Sequence, residues 1–128
     1  MPEAIRTESA PTPKGHYSQA VKAGSLLFVS GQLPLDPEGQ MVTGTISDEA
    51  KQALSNIRAI VEAAGGTIAN VVQCTIYVSD MAYWDDVNKV YSAFFLGVPV
   101  LPARAVVPVK QMHFDAHIEI QAIAVFNE

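Results

Sequence analysis

Two apolar runs near the end of the chain, residues 101–109 and 117–125, most constrain what this sequence can fold into. Val, Ile and Ala dominate both runs, which are too short and too apolar for surface helices and are typical of sheet interior. The first run contains Arg104 and the second contains Glu119. Because burying an unpaired charge is costly, these two residues either pair with each other, face water, or serve a ligand.

The functional interpretation gives Arg104 and Glu119 different tasks. A guanidinium presents a planar fork that matches a carboxylate with two parallel hydrogen bonds, whereas a carboxylate can handle a proton or a water. If the two runs paired as a hairpin, a one-residue change of register would decide whether both side chains share a face. Pro108 would reset that register if it introduced a bulge. The residues alone therefore leave the structural pair and the ligand site as open alternatives.

The remaining sequence predicts further strands and two helices, which together indicate a compact α+β layer with both helices on one face of a sheet. Such an arrangement leaves the other face uncovered, and association with further copies is the simplest cover. Strands are predicted over residues 5–7 (an edge strand), 26–33 (buried on both faces at its start) and 71–78 (a central strand). Gly31 lies inside the second of these, which indicates a bulge or a close backbone approach.

Both helices are predicted from apolar stripes at helical spacing. The first runs from a cap at Ser47 or Asp48 to about Ala64, and Gly65 suits the left-handed position after its last turn. The second covers about residues 83–95, is capped by Ser79 or Asp80, and ends before Gly97. The stripe of the first helix consists of Ala50, Leu54, Ile57, Val61 and Ala64, and that of the second consists of Trp84, Val87, Tyr91 and Phe94, with Asn88 beside it.

Composition excludes several classes of protein. The 128 residues suit a single domain over 1–128, and eight basic against thirteen acidic residues give a net charge of −5, which disfavours a dedicated nucleic-acid binder. The single cysteine, Cys74, alternates with apolar residues and is expected in the core of a protein from a reducing compartment. No apolar run is long enough for a membrane span, and the first residues lack the regions of a signal peptide. We therefore expect a cytoplasmic protein without membrane contact.

A metal site is not expected. His113 and His117 are four residues apart, but the residues between them are typical of a loop, and no third ligand lies in register. Gly65-Gly66 follows a helix rather than opening one, so it is no phosphate loop.

Five sequence segments in order resemble the RidA/YjgF family of reactive enamine/imine deaminases. Each segment alone is weak evidence, but the five together have the order and spacing of that family and cover nearly the whole chain. The segments are Gly15-His16-Tyr17-Ser18-Gln19-Ala20, Val29-Ser30-Gly31-Gln32-Leu33-Pro34, Val87-Asn88 with Tyr91, Phe94 and Phe95, Pro102-Ala103-Arg104, and Ile118-Glu119-Ile120 with Ala122-Ile123-Ala124.

The resemblance implies a chorismate-mutase-like fold, a mixed sheet of about six strands with two helices on one face. It also implies a homotrimer with active sites between subunits, and hydrolysis of 2-imino acids to 2-keto acids and ammonia without a cofactor. By position, Arg104 would hold the substrate carboxylate, Glu119 would position the attacking water, and Tyr17 would line the pocket from a neighbouring subunit. Gly31 and Val106 would present backbone groups, with Ser30 and Asn88 nearby.

The chain departs from the usual family pattern at two positions, and other activities stay open. His16 stands where the family often has Pro, and Val106 where it often has Cys, which puts the substrate range in doubt more than the reaction. The alternatives are an aminomuconate-type substrate, a metabolite-binding regulator without turnover, and the RNA cleavage described for some relatives.

Overall fold

A single mixed sheet organises the protein, whose computed structural model describes residues 1–127. Within that range there are six strands and two α-helices, and the strand order is β1-β2-β3-β6-β4-β5. All neighbouring strands are antiparallel except β4 and β5, which are parallel. The elements are β1 (Glu3–Ile5), β2 (Ala20–Ala23), β3 (Leu26–Gln32), α1 (Ile46–Ala63), β4 (Val71–Val78), α2 (Trp84–Phe94), β5 (Ala103–Pro108) and β6 (Ile118–Val125).

The two strands that carry Arg104 and Glu119 do not form a hairpin. Strand β4 lies between them, pairing with β5 on one side and with β6 on the other. The connection from β4 to β5 runs through α2, as a parallel pair requires a crossover. Pairing between β4 and β5 stays regular up to Pro108, so the suspected bulge at that residue is absent. The central position and the bounds predicted for β4 are confirmed.

Helices α1 and α2 cover one face of the sheet. The predicted stripe of α1 is confirmed, since Ala50, Leu54, Ile57 and Val61 are all buried, and Ala64 packs at its end. Gly65 follows with φ 97°, in the left-handed conformation expected of it. Cys74 on β4 is also buried beneath the helices, which confirms its place in the core.

The start of α1 differs from the prediction. Thr45 caps the helix, accepting a hydrogen bond from the Asp48 amide (3.1 Å), while the Asp48 carboxylate accepts one from the Thr45 amide (3.2 Å). This reciprocal capping box satisfies two amides at once, so it outcompetes a cap at Ser47 or Asp48 alone.

The start and the stripe of α2 also differ from the prediction. Asp80 caps a short 3₁₀ turn (Met81–Tyr83), and α2 begins after it. Val87 and Tyr91 are buried as predicted, but Trp84 is 38% exposed and Phe95 is buried instead. Trp84 is the first residue of α2, and its ring lies beside the Arg104 guanidinium (5.6 Å to the ring centre) rather than in the core.

Strands β1 and β3 also differ from the prediction, in their bounds and in the burial of β3. The edge strand β1 begins and ends two residues earlier than predicted. The Thr7 amide donates a hydrogen bond to the side-chain oxygen of Gln19 (2.7 Å) and so does not continue the pairing with β2. Strand β3 ends one residue early, at Gln32. Its start is not buried on both faces, since Leu26 and Phe28 are 38% and 44% exposed in the single chain.

No helix within residues 1–127 is long and apolar enough to cross a bilayer.

Candidate active site

Arg104 and Glu119 lie on opposite faces of the sheet. In the β5–β4–β6 ladder Arg104 aligns with Cys74, whereas Glu119 aligns with Tyr77 and Val107. Successive side chains of a strand alternate between faces, so Arg104 and Val107, three residues apart on β5, point to opposite faces. Glu119 shares the face of Val107 and therefore points away from the face of Arg104. The structural alternative in which the two residues form an ion pair within one chain is therefore wrong. No carboxylate among the described residues forms an ion pair with Arg104.

The guanidinium of Arg104 is held by α2 at the helix-covered face. Its Nη1 donates a hydrogen bond to the side-chain oxygen of Asn88 (2.8 Å). The guanidinium carbon lies 4.8 Å from the ring centre of Tyr91 and 5.6 Å from that of Trp84. The amide and the two ring faces restrict the rotation of a side chain that would otherwise be flexible. Asn88, which has no role in the apolar stripe, thus serves to orient Arg104.

A cavity of about 670 Å³ opens beside this guanidinium. Its wall combines Arg104, Asn88 and Tyr91 with apolar residues from the segment between α2 and β5. Behind it, burial raises the pKa of Cys74 to about 11, and burial likewise raises the pKa of Tyr91 well above its usual range. Both groups are therefore neutral at physiological pH, and the thiol lacks the thiolate character of a nucleophile.

Glu119 lies on the other face, against the backbone of Gly31. A Cβ built on Gly31 would overlap Oε2 of Glu119 and would lie 2.9 Å from its Cδ, so any larger residue there would displace the carboxyl. The register of β3 against β6 shifts between Val29 and Gln32, which confirms both the bulge and the close approach expected at Gly31. Burial raises the pKa of the Glu119 carboxyl above its ordinary value. Burial therefore makes this carboxyl a stronger proton acceptor than an exposed glutamate.

A second cavity, of about 470 Å³, surrounds the Glu119 carboxyl. Of the predicted site residues, Tyr17, Ser30 and Gly31 line it together with Glu119. The Tyr17 ring is half-exposed at its rim. The Ser30 hydroxyl is already engaged, because it donates to the Ser18 carbonyl (2.7 Å).

Val106 and Asn88 belong instead to the Arg104 face. Val106 aligns with the buried Ile76 and packs against the core. The predicted site is therefore divided within one chain into two half-sites. The Arg104 half-site comprises Arg104 and Asn88, and the Glu119 half-site comprises Glu119, Gly31, Tyr17 and Ser30. Val106 shares the face of Arg104 but lines neither cavity.

Several residues of the Glu119 half-site were not predicted from the sequence. Gln19 is buried, and its amide donates to the carbonyls of Thr7 (3.0 Å) and Pro11 (3.0 Å), so it shapes the loop that forms one wall. Lys14 on that loop and His113 in the turn before β6 also line the cavity. Gln19 lies in the segment of residues 15–20 that carries the family resemblance, which was the available signal for it, whereas Lys14 and His113 lie in no such segment.

His117, four residues after His113, has a different partner. Its Nδ1 lies 2.6 Å from Oε2 of Glu49, a buried carboxylate on α1, and its amide donates to Oε1 of the same residue (2.9 Å). This clamp joins the start of β6 to the first turn of α1. Within residues 1–127 there is no group of three His, Cys, Asp or Glu side chains that could hold a metal ion.

Comparison with known proteins places this chain in one family. The family model described as endoribonuclease L-PSP matches residues 7–126, so the chain belongs to that family, which is the RidA/YjgF family anticipated above.

Relatives of known name cover almost the full chain. A RutC family protein of Pyrococcus horikoshii is 47% identical over 125 residues, 97% of this chain and 98% of its own length. A protein of Salmonella typhimurium named 2-iminobutanoate/2-iminopropanoate deaminase is 43% identical over 126 residues, 98% of both chains. The crystal structure of the YjgF gene product of E. coli superposes with a TM-score of 0.93 at 40% identity, covering 98% of this chain and 99% of that one. The six-stranded mixed sheet with two helices is thus the fold that the resemblance implied.

Proposed function

We propose that this protein hydrolyses 2-imino acids, the tautomers of 2-aminoacrylate-type enamines, to 2-keto acids and ammonia. The observation that carries the proposal is the Arg104 guanidinium, which is oriented by Asn88 yet pairs with no carboxylate of the described chain. A fixed guanidinium without a protein partner suits a planar anion such as the carboxylate of an imino acid. The name of the Salmonella relative, a 2-imino acid deaminase, supports the same reaction.

In the proposed reaction Arg104 binds the substrate carboxylate and Glu119 handles protons. Glu119 accepts a proton from water as the water oxygen bonds to the imine carbon, and the imine nitrogen takes up a proton from solvent to become an amino group. Glu119 then gives its proton to the amino group and takes the proton of the new hydroxyl as the C–N bond breaks and the C=O bond forms. Ammonia leaves, and Glu119 returns its proton to solvent. The raised pKa of Glu119 suits a group that must act as base and then as acid. Tyr17 borders the substrate at the rim.

The two half-sites require two copies of the chain to cooperate, because Arg104 and Glu119 face away from each other within one copy. We propose the homotrimer that the family resemblance implies, in which Arg104 of one copy faces the Glu119 half-site of the next. The exposed Leu26 and Phe28 on the uncovered sheet face support burial by another copy.

The experiment measures ammonia release from freshly generated 2-iminopropionate by the wild type and by Glu119→Gln. We expect the variant to lose most turnover while still binding the 2-keto acid product, since its carboxyl handles protons and Arg104 binds the anion. Unchanged turnover would remove Glu119 from the mechanism. Product binding without turnover by the wild type would indicate a regulator, and RNA cleavage that depends on Arg104 would indicate a nuclease.

A further inference from the structure

The Glu119 half-site contains two side chains that imine hydrolysis does not use. Lys14, on the loop before β2, and His113, in the short turn before β6, both line the cavity. Together with Glu119 they are the acidic or basic side chains that line it, apart from the phenol of Tyr17. Neither Lys14 nor His113 forms an ion pair or a side-chain hydrogen bond with another residue in the described part of the chain.

The backbone that presents His113 is strained. Phe114 and Asp115, which follow it, have φ angles of 61° and 53°, a left-handed conformation that is unfavourable for such residues and that accumulates at functional sites. The turn is fastened by a hydrogen bond from the Ala116 amide to the His113 carbonyl (3.2 Å). The His113 ring packs edge-on against Phe114 at 4.1 Å. The strained turn thus fixes a histidine, with both ring nitrogens open to a ligand, at the cavity wall.

The basic side chains at this cavity contrast with the net charge of the whole protein. The chain carries a net charge of −5 and only eight Lys and Arg residues. The cavity nevertheless presents one lysine and one histidine beside a single carboxyl. Basic groups that line one concave site concentrate anions even when the net charge of the protein repels them.

We propose that Lys14 and His113 form a subsite for a second carboxylate, so that the favoured substrates are 2-imino acids with an acidic side chain. This inference rests on the proposed function, in which Arg104 of another copy takes the carboxylate next to the C=N bond. The side chain of the substrate then points into the cavity, where the Lys14 ammonium and an imidazole N–H donate to its terminal carboxylate. At about 470 Å³ the cavity has room for a substrate longer than a three-carbon imine.

A matched pair of imines tests the subsite. Amino-acid oxidases generate one imine from glutamate and one from glutamine, which differ only in a terminal carboxylate or carboxamide. We expect the wild type to favour the carboxylate by about tenfold in kcat/KM, the range that two partly exposed charge-assisted contacts supply. Lys14→Gln and His113→Gln should each reduce that ratio several-fold, and Lys14→Arg should retain it.

Lys51→Gln provides the control, because Lys51 is exposed on α1 and lines neither cavity. That variant loses the same unit of charge and should keep the wild-type ratio. A ratio near one in the wild type, or an equal ratio in all variants, would overturn the subsite.

A binding measurement separates this inference from the proposed function. Calorimetry compares 2-ketoglutarate with 2-ketopentanoate, which has the same carbon chain without the terminal carboxylate. Tighter binding of the dianion that is lost in Lys14→Gln would support the subsite even if no imine were hydrolysed. Equal affinities would contradict the subsite while leaving hydrolysis of shorter imines untouched.

Discussion

Replacement of Arg104 separates a ligand-binding role from a structural one. Arg104→Ala removes one hydrogen bond between a charged donor and Asn88, worth about 1.5 kcal/mol. It also removes two partly exposed ring contacts, worth about 0.5 kcal/mol each. We therefore expect the free energy of unfolding to fall by about 2.5 kcal/mol at most, whereas breaking a buried ion pair would cost about 3–5 kcal/mol. For a chain of this length the expected loss lowers Tm by about 10 °C or less.

The effect on activity should be much larger. Loss of a desolvated bidentate contact to a carboxylate costs about 2–5 kcal/mol, which is a fall in kcat/KM of roughly thirtyfold to several thousandfold. Arg104→Lys keeps the charge but not the fork, so it should restore stability better than activity.

The assay combines a melting curve with ammonia release from 2-iminopropionate for each variant. Arg58→Ala is the matched control. Arg58 lies on α1, its guanidinium carbon is 4.6 Å from the ring centre of Phe94, and it lines neither cavity. It should show a small loss of stability and unchanged activity. The reasoning would be refuted by a large drop in the Tm of Arg104→Ala with activity per folded molecule intact.

Three further substitutions test the Glu119 half-site and its support. Gly31→Ala should fold yet lose about a hundredfold in kcat, since the new methyl group displaces the Glu119 carboxyl by about an ångström; wild-type kinetics would contradict the overlap. Because the pKa of Glu119 is raised in the folded state, the wild type loses stability as the pH rises through the folded-state pKa of this carboxyl. Glu119→Gln should therefore melt above the wild type near pH 7 and level with it near pH 4. A difference in Tm that does not depend on pH would exclude this cause. Glu49→Ala should lower the free energy of unfolding by about 2 kcal/mol, because it leaves the His117 amide without an acceptor. Glu49→Gln should lower it less, because the glutamine oxygen can still accept that hydrogen bond. Equal losses of the two variants in urea unfolding would contradict the clamp.

Much of the fold could be predicted because its signals are local. The stripe of α1, the glycine after it and the apolar run of β4 each follow from residues within a few positions of one another. The errors at helix starts arose where two capping arrangements compete over one or two residues, as at Thr45 and Asp48. Trp84 was misplaced because it is the first residue of α2 and its ring lies beside Arg104, a tertiary contact that the apolar spacing does not reveal.

The candidate site was harder to predict because it depends on pairing between distant strands. Sequence motifs indicated Arg104 and Glu119, but not that β4 separates their strands or that their side chains point to opposite faces. Contacts such as Arg104 with Asn88 and Glu119 with Gly31 are set by tertiary structure. Lys14 and His113 lie 99 positions apart (113 − 14), and no local pattern connects residues so distant.

A mixing experiment tests the central claim, that each active site combines Arg104 of one copy with Glu119 of another. Arg104→Ala and Glu119→Gln, each nearly inactive alone, are unfolded together in equal amounts, refolded, and assayed for ammonia release from 2-iminopropionate. If copies assemble at random, about one quarter of the sites receive both intact residues, so about a quarter of wild-type activity should return. The double variant, refolded with wild type at the same ratio, gives the control for assembly. Recovery of no activity from the two single variants, with assembly intact, would contradict the account, because it would mean that both residues must come from the same chain.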